Sequence, residues 1–494
     1  MKYLLDTNIV IPLEPTSNQD LEANTVRAMK LLSLCTEVSQ QVFIHPAITY
    51  DIQKDKNTKR KNLRLTTIQR YPVLDSPPSA TTLNPSIIPL PKAGTNDWVD
   101  HHLLAALQGD LVDYLVTEDI GIHKKGKKLG IDSRILLLHD AIALVQDLFD
   151  DSPPPPPTVK CKKVYSLDTS DPIFNSLRSD YGVTAFDNWL VKCKKNHREA
   201  YVVETDSGKL AGIVILKPEK ALPDGTEGKV LKICTFKVSE SHSGNRLGEL
   251  LLKPVFEYLR KNGYDFAYFT AFKKQQPLIE FAHDFGFNII PNLDSPNELA
   301  LCKTIKYSKE DLISLSPLDL HIRFGPHLTS FNGNRSFVVP IKPEYHKVLF
   351  PEIGPIQQSL FSVPQKPCGN SIRKAYLCHS SIKKIKQGDN LFFYRSNYAS
   401  AMTCVGIVEG TLRSSDPSSI AQFVGKRTVY SYAEIEKLCQ HNEVLAIRFR
   451  TVCQFDSKIT LRTLKSNGII KGQPQSITEL RESGIQWIRQ QIKM

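Results

Sequence analysis

Five consecutive prolines, Pro153 to Pro157, constrain this chain more than any other stretch. Proline fixes φ and lacks an amide hydrogen, so the run can enter neither a helix interior nor a central strand and stays extended and stiff. It predicts a spacer over residues 148–159 that closes one domain before the next begins. With 494 residues the chain exceeds one ordinary core at roughly 150 residues per domain, and about three domains follow. The expected segments are 1–147, 160–308 and 320–494.

The first segment alternates short apolar strands with amphipathic helical stretches. Strands are expected at Tyr3 to Leu5, Gln41 to Ile44 and Tyr114 to Val116, and helices at Leu21 to Ser39 and Trp98 to Gln108. That alternation predicts a parallel sheet wrapped by helices. Four acids recur at comparable places: Asp6 ends the first strand, Asp51 follows Pro46, Asp100 lies in NDWVDHHLLAAL, and Asp119 follows the strand in LVTEDIGI. Two explanations compete. An acid after a strand is a common helix N-cap. Four acids gathered at the carboxyl edge of one sheet would instead repel each other and call for a hard cation such as Mg²⁺ or Mn²⁺.

The order LLDTN, an acid near residue 51, D-x-x-x-L-A-A and L-V-T-x-D resembles the PIN domain family across residues 1–147. The resemblance implies a three-layer α/β fold and metal-dependent endonucleolytic cleavage of RNA, with Asp6, Asp51, Asp100 and Asp119 as catalytic metal ligands. Asn8 and Thr117 would orient them. The family usually has Glu where this chain has Asp51, with Asp97 and Glu118 as substitutes.

The second segment reads as strands and then helices. A hairpin turning at Asp206, Ser207 and Gly208 precedes a strand at Lys229 to Val238 and a helix from Leu247 through Leu259. Between them lies SGNRLG, where free amides at a helix N-terminus can bind a pyrophosphate, a tight turn being the alternative. With FAYFTA and FAHDFGFNII, these blocks resemble a GNAT acetyltransferase. Ser243, Gly244, Asn245, Arg246, Leu247 and Gly248 would then contact the pyrophosphate of acetyl-CoA, and the backbone near Val238 its pantetheine arm. Two departures stand out: Arg246 replaces a usual Gly, and Ala282 replaces a Tyr that often serves as general acid, leaving His283 to stand in.

The third segment shows short strands in NLFFYRS, CVGIVEG and VLAIRFR, consistent with a small mixed-sheet barrel. The blocks CGNSIRKAY, IKKIKQGDNLFFYRS, GIVEG and GKRTVYS resemble the PUA-like superfamily, in particular ASCH and EVE-type domains, which implies RNA or modified-base binding. Basic and aromatic residues interleave here, either as RNA contacts or as strand core.

A formal charge of +12 predicts a polyanionic partner such as tRNA or rRNA. The candidate contacts are Lys59, Arg60, Lys61 and Arg64 in the first segment and Arg373, Lys374, Arg395 and Arg427 in the third. Ten scattered cysteines without a C-x-x-C pair argue against structural zinc and disulfides. No apolar run approaches the roughly 20 residues of a membrane span, and the N-terminus lacks a signal pattern, so a cytoplasmic protein is expected, a homo-oligomer being compatible. These features together predict an endoribonuclease governed by an acetyl-CoA domain, such as a toxin or anti-phage factor. The alternative is an N-acetyltransferase acting on RNA or protein, to which the flanking domains deliver substrate.

Overall fold

The computed structural model describes residues 1–14, 22, 24–37, 40–149, 158–293, 295, 297–331, 333–353, 366–396 and 400–491. The proline run Pro153 to Pro157 lies outside them. The chain divides into two compact units: Met1–Asp151 with Ser414–Lys426 and Tyr430–Asn442, and Ser152–Arg413 with Arg427–Val429 and Glu443–Met494.

In the first unit, β1 (Lys2–Leu5), β2 (Gln41–Ile44), β3 (Tyr114–Val116) and β4 (Ile135–Leu136) form one sheet in the order β2-β1-β3-β4, every pair parallel. The strands are short and almost wholly apolar because both faces of a parallel sheet are covered. Tyr3, Leu4, Leu115 and Val116 are each buried. The helices are α1 (Thr7–Leu13), α2 (Thr25–Glu37), α3 (Ile48–Gln53), α4 (Thr58–Thr67), α5 (Asn96–Gln108), α6 (Ile120–Leu129) and α7 (Leu138–Phe149). The helices Pro417–Val424 and Tyr432–His441 also belong to this unit, where Gln422 donates to Asp113 at 3.0 Å. The sequence placed them in the third domain. What assigns them here is tertiary packing, which local pattern does not encode.

In the second unit, β5 (Val159–Lys163), α8 (Asn175–Tyr181), α9 (Val183–Lys195), β6 (Glu199–Glu204), β7 (Leu210–Ala221), β8 (Glu227–Val238), α10 (Leu247–Lys261), β9 (Phe266–Phe272), α11 (Gln276–Asp284), β10 (Asn288–Ile290) and β11 (Glu298–Thr304) build a seven-stranded sheet ordered β10-β11-β9-β8-β7-β6-β5. All its neighbours are antiparallel except β8 and β9. Those two pair only from Val230 to Lys232 against Phe266 to Tyr268 and then part company. The expected hairpin is present, with Gly208 at φ +75° in its turn.

The rest of this unit is a six-stranded mixed sheet of β12 (Ser336–Ile341), β13 (Arg373–Cys378), β14 (Asn390–Arg395), β15 (Ala401–Ser414), β16 (Val444–Thr460) and β17 (Thr478–Glu479), ordered β13-β16-β15-β14-β12-β17. Its aromatics are largely core: Phe392, Phe393, Tyr394 and Phe449 are fully buried. Among the described residues no helix is long and apolar enough to cross a membrane.

Candidate functional site

The second unit carries the better-formed site, and its construction begins at the parting of β8 and β9. Beyond Lys232 and Tyr268 the side of β8 that faces β9 has no strand partner among the described residues, so a ligand can enter the wedge. One strand position sharpens it. Ile215 opposes Thr235 and Leu216 opposes Ile233, so Cys234 is the extra residue of a bulge that bends β8 away.

β8 ends at Val238, and the loop that follows leads into α10, whose first amides are free of helical partners. Arg246, where the resembling family has Gly, holds a left-handed conformation (φ +57°, ψ +25°). A side chain there costs roughly 1–2 kcal/mol against glycine. Its guanidinium reaches Oε1 of Glu249 at 3.1 Å. Glu249 is 2% exposed, and its Oε2 accepts from Ser371 Oγ at 2.7 Å, Ile372 N at 2.7 Å and Arg373 N at 3.0 Å. Burial alone would raise this carboxyl, but Arg246 and these donors hold it below the usual range. Asn370 donates to the Asn245 carbonyl at 2.8 Å, so the loop is tied to the C-terminal sheet at two points.

Beside the wedge lies a cavity of about 410 Å³. Tyr181, Phe186, Trp189 and Phe236 give it aromatic walls, and Glu298 sits at the start of β11. The Tyr181 hydroxyl donates to Glu298 Oε1 at 2.6 Å, and burial together with this carboxylate raises the hydroxyl well above its ordinary value. The sequence missed both residues. They come from the end of α8 and the start of β11, 117 positions apart, and no spacing links them. His283, expected to act as an acid, does not line this cavity: its Nδ1 stands 2.8 Å from the Phe287 carbonyl, and Ala282 is core.

The first unit brings Asp6, Asp51, Asp100 and Asp119 to one open cleft of about 610 Å³. Asp6 and Asp119 are also helix N-caps, accepting from Thr7 N and Gly121 N, each at 2.6 Å. Thus the two competing explanations describe the same residues. Thr117 donates to Asp6 Oδ2 at 2.6 Å, and Asn8 donates to Thr117 at 3.1 Å. Asp6 is 5% exposed, and burial, with the charges of Asp100 and Asp119 adding, pushes its carboxyl up to about 7. Lysines already serve the outer acids: Lys125 reaches Asp100 at 2.7 Å and Asp97 at 2.6 Å, and Lys54 reaches Asp51 at 2.9 Å. Glu118, the other substitute, caps the helix at Leu138 N. Among the described residues no three acids, histidines or cysteines converge closely enough to hold a metal ion as they stand.

The expected RNA contacts divide. Arg60 and Arg64 line the acid cleft but pair with Asp55 at 2.6 and 3.1 Å, while Lys59 and Lys61 lie on α4 outside it. Lys374 is fully buried and donates to the Cys368 and Gly369 carbonyls, so it cannot face RNA. Arg373 bonds Asp284 at 2.7 Å and Glu409 at 2.9 Å, and Arg427 lies 3.9 Å from Glu409, so both serve an internal network. Arg395 ends β14 half-buried.

Residues 161–287 match the Acetyltransferase (GNAT) family, and the chain therefore contains a GNAT acetyltransferase domain. No curated protein matches the sequence. Among solved structures the chain is similar to ASCH from Zymomonas mobilis (14% identity, 31% of this chain and 94% of that one, TM-score 0.25). It is also similar to a putative acyl-CoA N-acyltransferase from Klebsiella pneumoniae subsp. pneumoniae MGH 78578 (15% identity, 30% and 98%, TM-score 0.23). A third is a GNAT family acetyltransferase from Elizabethkingia anophelis with acetyl-CoA bound (14% identity, 31% and 99%, TM-score 0.22). The family match favours the acetyltransferase, which the sequence pattern alone had placed second to the nuclease.

Proposed function

We propose that the chain transfers the acetyl group of acetyl-CoA to an amine in the cavity between α8, α9 and the β8–β9 wedge. The observation that carries this is the wedge itself: a β8 side without a strand partner among the described residues, leading to the first amides of α10 at one end and to the aromatic-walled cavity at the other. The Ser243 to Gly248 stretch would take the pyrophosphate through the amides at the start of α10, since Ser243 N and Asn245 N already donate to the Glu240 and His242 carbonyls, and the backbone up to Val238 would take the pantetheine arm. The amine nitrogen attacks the thioester carbon, the C–S bond breaks, and the amine proton passes to Glu298. The Tyr181 hydroxyl, kept protonated by its surroundings, gives its proton to the departing sulfur and regains one through its 2.6 Å bond to Glu298.

Calorimetry with acetyl-CoA and release of free CoA in the presence of amines test this. Binding with turnover, both weakened when Gly248→Asp places a carboxylate in the loop, is the expected result. Absence of acetyl-CoA binding to the intact chain overturns it.

A second reading is favoured by the four acids sharing one cleft. It makes the first unit a metal-dependent endoribonuclease, with RNA as its partner. The oxygen donor set suits Mg²⁺ or Mn²⁺, and the burial that raises Asp6, with the charges of Asp100 and Asp119 adding to it, is what such an ion relieves. Asp6, Asp100 and Asp119 would hold it once Lys125 swings away. When bound, the ion would supply Lewis acidity toward a phosphodiester. Asp6 would stay ionised, Thr117 would orient it, and Lys54, Lys56 and Arg60 would face the phosphates. Cleavage of total tRNA and rRNA with Mn²⁺ or Mg²⁺, against EDTA and Asp119→Asn, decides it: intact RNA in the metal lanes removes this reading.

A further inference from the structure

The cavity beside the β8–β9 wedge contains a cation that the transfer reaction does not use. Arg198, which precedes β6, is 9% exposed and lines the cavity. Among the described residues it makes no ion pair with a carboxylate. Its recorded side-chain acceptors are two thiols, Cys193 at 3.1 Å and Cys234 at 3.6 Å, and its guanidinium stands 5.9 Å from the Trp189 ring centroid. Burial raises both thiols, Cys193 up to about 11, so neither is a thiolate able to neutralise the arginine. A guanidinium with five fixed donors, buried against neutral sulfur, is a poor structural anchor and a good receptor for a planar or tetrahedral anion.

Its neighbours point the same way. Lys192, Lys217 and Lys232 line the same cavity, and among the described residues the one acid lining it is Glu298, which accepts from Tyr181. Lys217 is answered by Glu219 at 2.5 Å, whereas Lys232 makes no ion pair among the described residues and lies 5.2 Å from the Tyr268 ring centroid. Glu219 in turn accepts from the Tyr268 hydroxyl. A cationic polyamine would meet this positive wall unfavourably.

We propose that the acceptor is an amine carrying its own anionic group, carboxylate or phosphate, and that Arg198, helped by Lys232, binds that group while the amine points toward Glu298. This rests on the acetyltransferase reading and adds the acceptor's chemistry to it. The anion lowers its own desolvation cost by pairing with a charge that is already buried, so recognition falls mainly on binding and little on the chemical step.

The test uses the full chain after calorimetry has established acetyl-CoA binding; failure at that stage removes the acetyltransferase reading and not the anion site alone. Acetylation is then followed for matched amines: an α-amino acid against its amide, phosphoethanolamine against ethanolamine, and spermidine as the cationic control. Wild type is expected to favour at least one anionic member by tenfold or more in kcat/KM, and which pair shows the preference separates carboxylate from phosphate. Arg198→Gln should bring that ratio within about twofold, through KM with kcat little changed, and Arg198→Lys should restore part of it. Lys232→Gln gives a smaller loss and remains informative if Arg198→Gln does not fold. Preference for ethanolamine, the amide or spermidine overturns the proposal, as does an anion preference that survives Arg198→Gln and Lys232→Gln. So does the absence of both turnover and calorimetric binding of every anionic amine in the presence of CoA.

Discussion

The two clefts are mirror cases of one electrostatic situation. In the first unit five carboxylates line an open cleft; Lys54 and Lys125 answer Asp51 and Asp100, Arg60 and Arg64 answer Asp55, and Asp6 is left buried and raised to about 7. In the second unit cations line a cavity, and Arg198 is left against neutral sulfur. The cationic cavity holds more positive charge than its lining neutralises, and what balances it must be negative; in the acid cleft Lys54, Lys56, Arg60 and Arg64 stand among the acids, and the imbalance is confined to the buried Asp6. The difference lies in backbone support: the cationic cavity adjoins a strand side that has no partner among the described residues and a helix N-terminus, whereas Asp6 and Asp119 follow strands as helix caps and Asp51 and Asp100 lie within α3 and α5.

The comparison breaks most visibly at the proton acceptor. Glu298→Gln should lower kcat about 10²–10⁴-fold, the range for losing a general base, with acetyl-CoA affinity nearly unchanged by calorimetry. An unaltered kcat removes Glu298 from the chemistry. Next is Asp6→Asn in the acid cleft. If repulsion is stored there, this variant is more stable than the parent without metal, by about 1–3 kcal/mol in denaturant unfolding at pH 8, while any metal-dependent cleavage of RNA is lost. A destabilised variant would instead mean that the cap and the Thr117 bond outweigh the repulsion.

Acid separates the units by a smaller amount. His321 and His346 in the second unit are buried neutral, lowered by burial to about 3 and about 4. Their folded values lie below the unfolded one, so their contribution is complete above about 6.5 and is lost as the pH falls toward 4. In the first unit His45, lowered to about 4, acts the same way, but Asp6 acts oppositely, its raised folded value adding stability as the pH falls below about 7. Hydrogen exchange at pH 5 against pH 7.5 should show the second unit losing about 1–2 kcal/mol more than the first. Equal loss in both would show that these groups do not set acid stability. Smallest is Arg246→Gly. It relieves the left-handed residue yet removes the ion pair to Glu249, so the two effects oppose and thermal unfolding should move by about 1 kcal/mol or less.

Strand positions were legible wherever local apolar pattern decides. Gln41 to Ile44 and Tyr114 to Val116 are strands over those residues, and the helix expected from Leu247 runs to Lys261. Ile135 to Val145 is apolar apart from His139 and Asp140. The structure divides it into β4 and the start of α7, with the Leu138 amide bonded to Glu118, a partner 20 residues away. The acids of the first unit could be gathered from sequence because each follows a strand or lies near a helix start. Arg198, Glu298 and Tyr181 could not, because their meeting depends on how α8, α9 and the seven-stranded sheet pack. Lys374 misled for the opposite reason: a lysine in a basic, aromatic stretch looks solvated, and only its position on β13 reveals three-dimensional burial.

The tie between Arg246 and the C-terminal sheet has a consequence in time. The loop that leads into α10 is complete once residue 248 leaves the ribosome, but the groups that fasten Glu249, at residues 371–373, are made more than 120 positions later. Until then the chain holds a left-handed arginine and a carboxylate destined for burial, neither of them supported by those bonds. The entry to α10 is therefore fastened by two distant stretches of the sequence, and a nascent or truncated chain ending before Ser371 lacks the clasp on that loop.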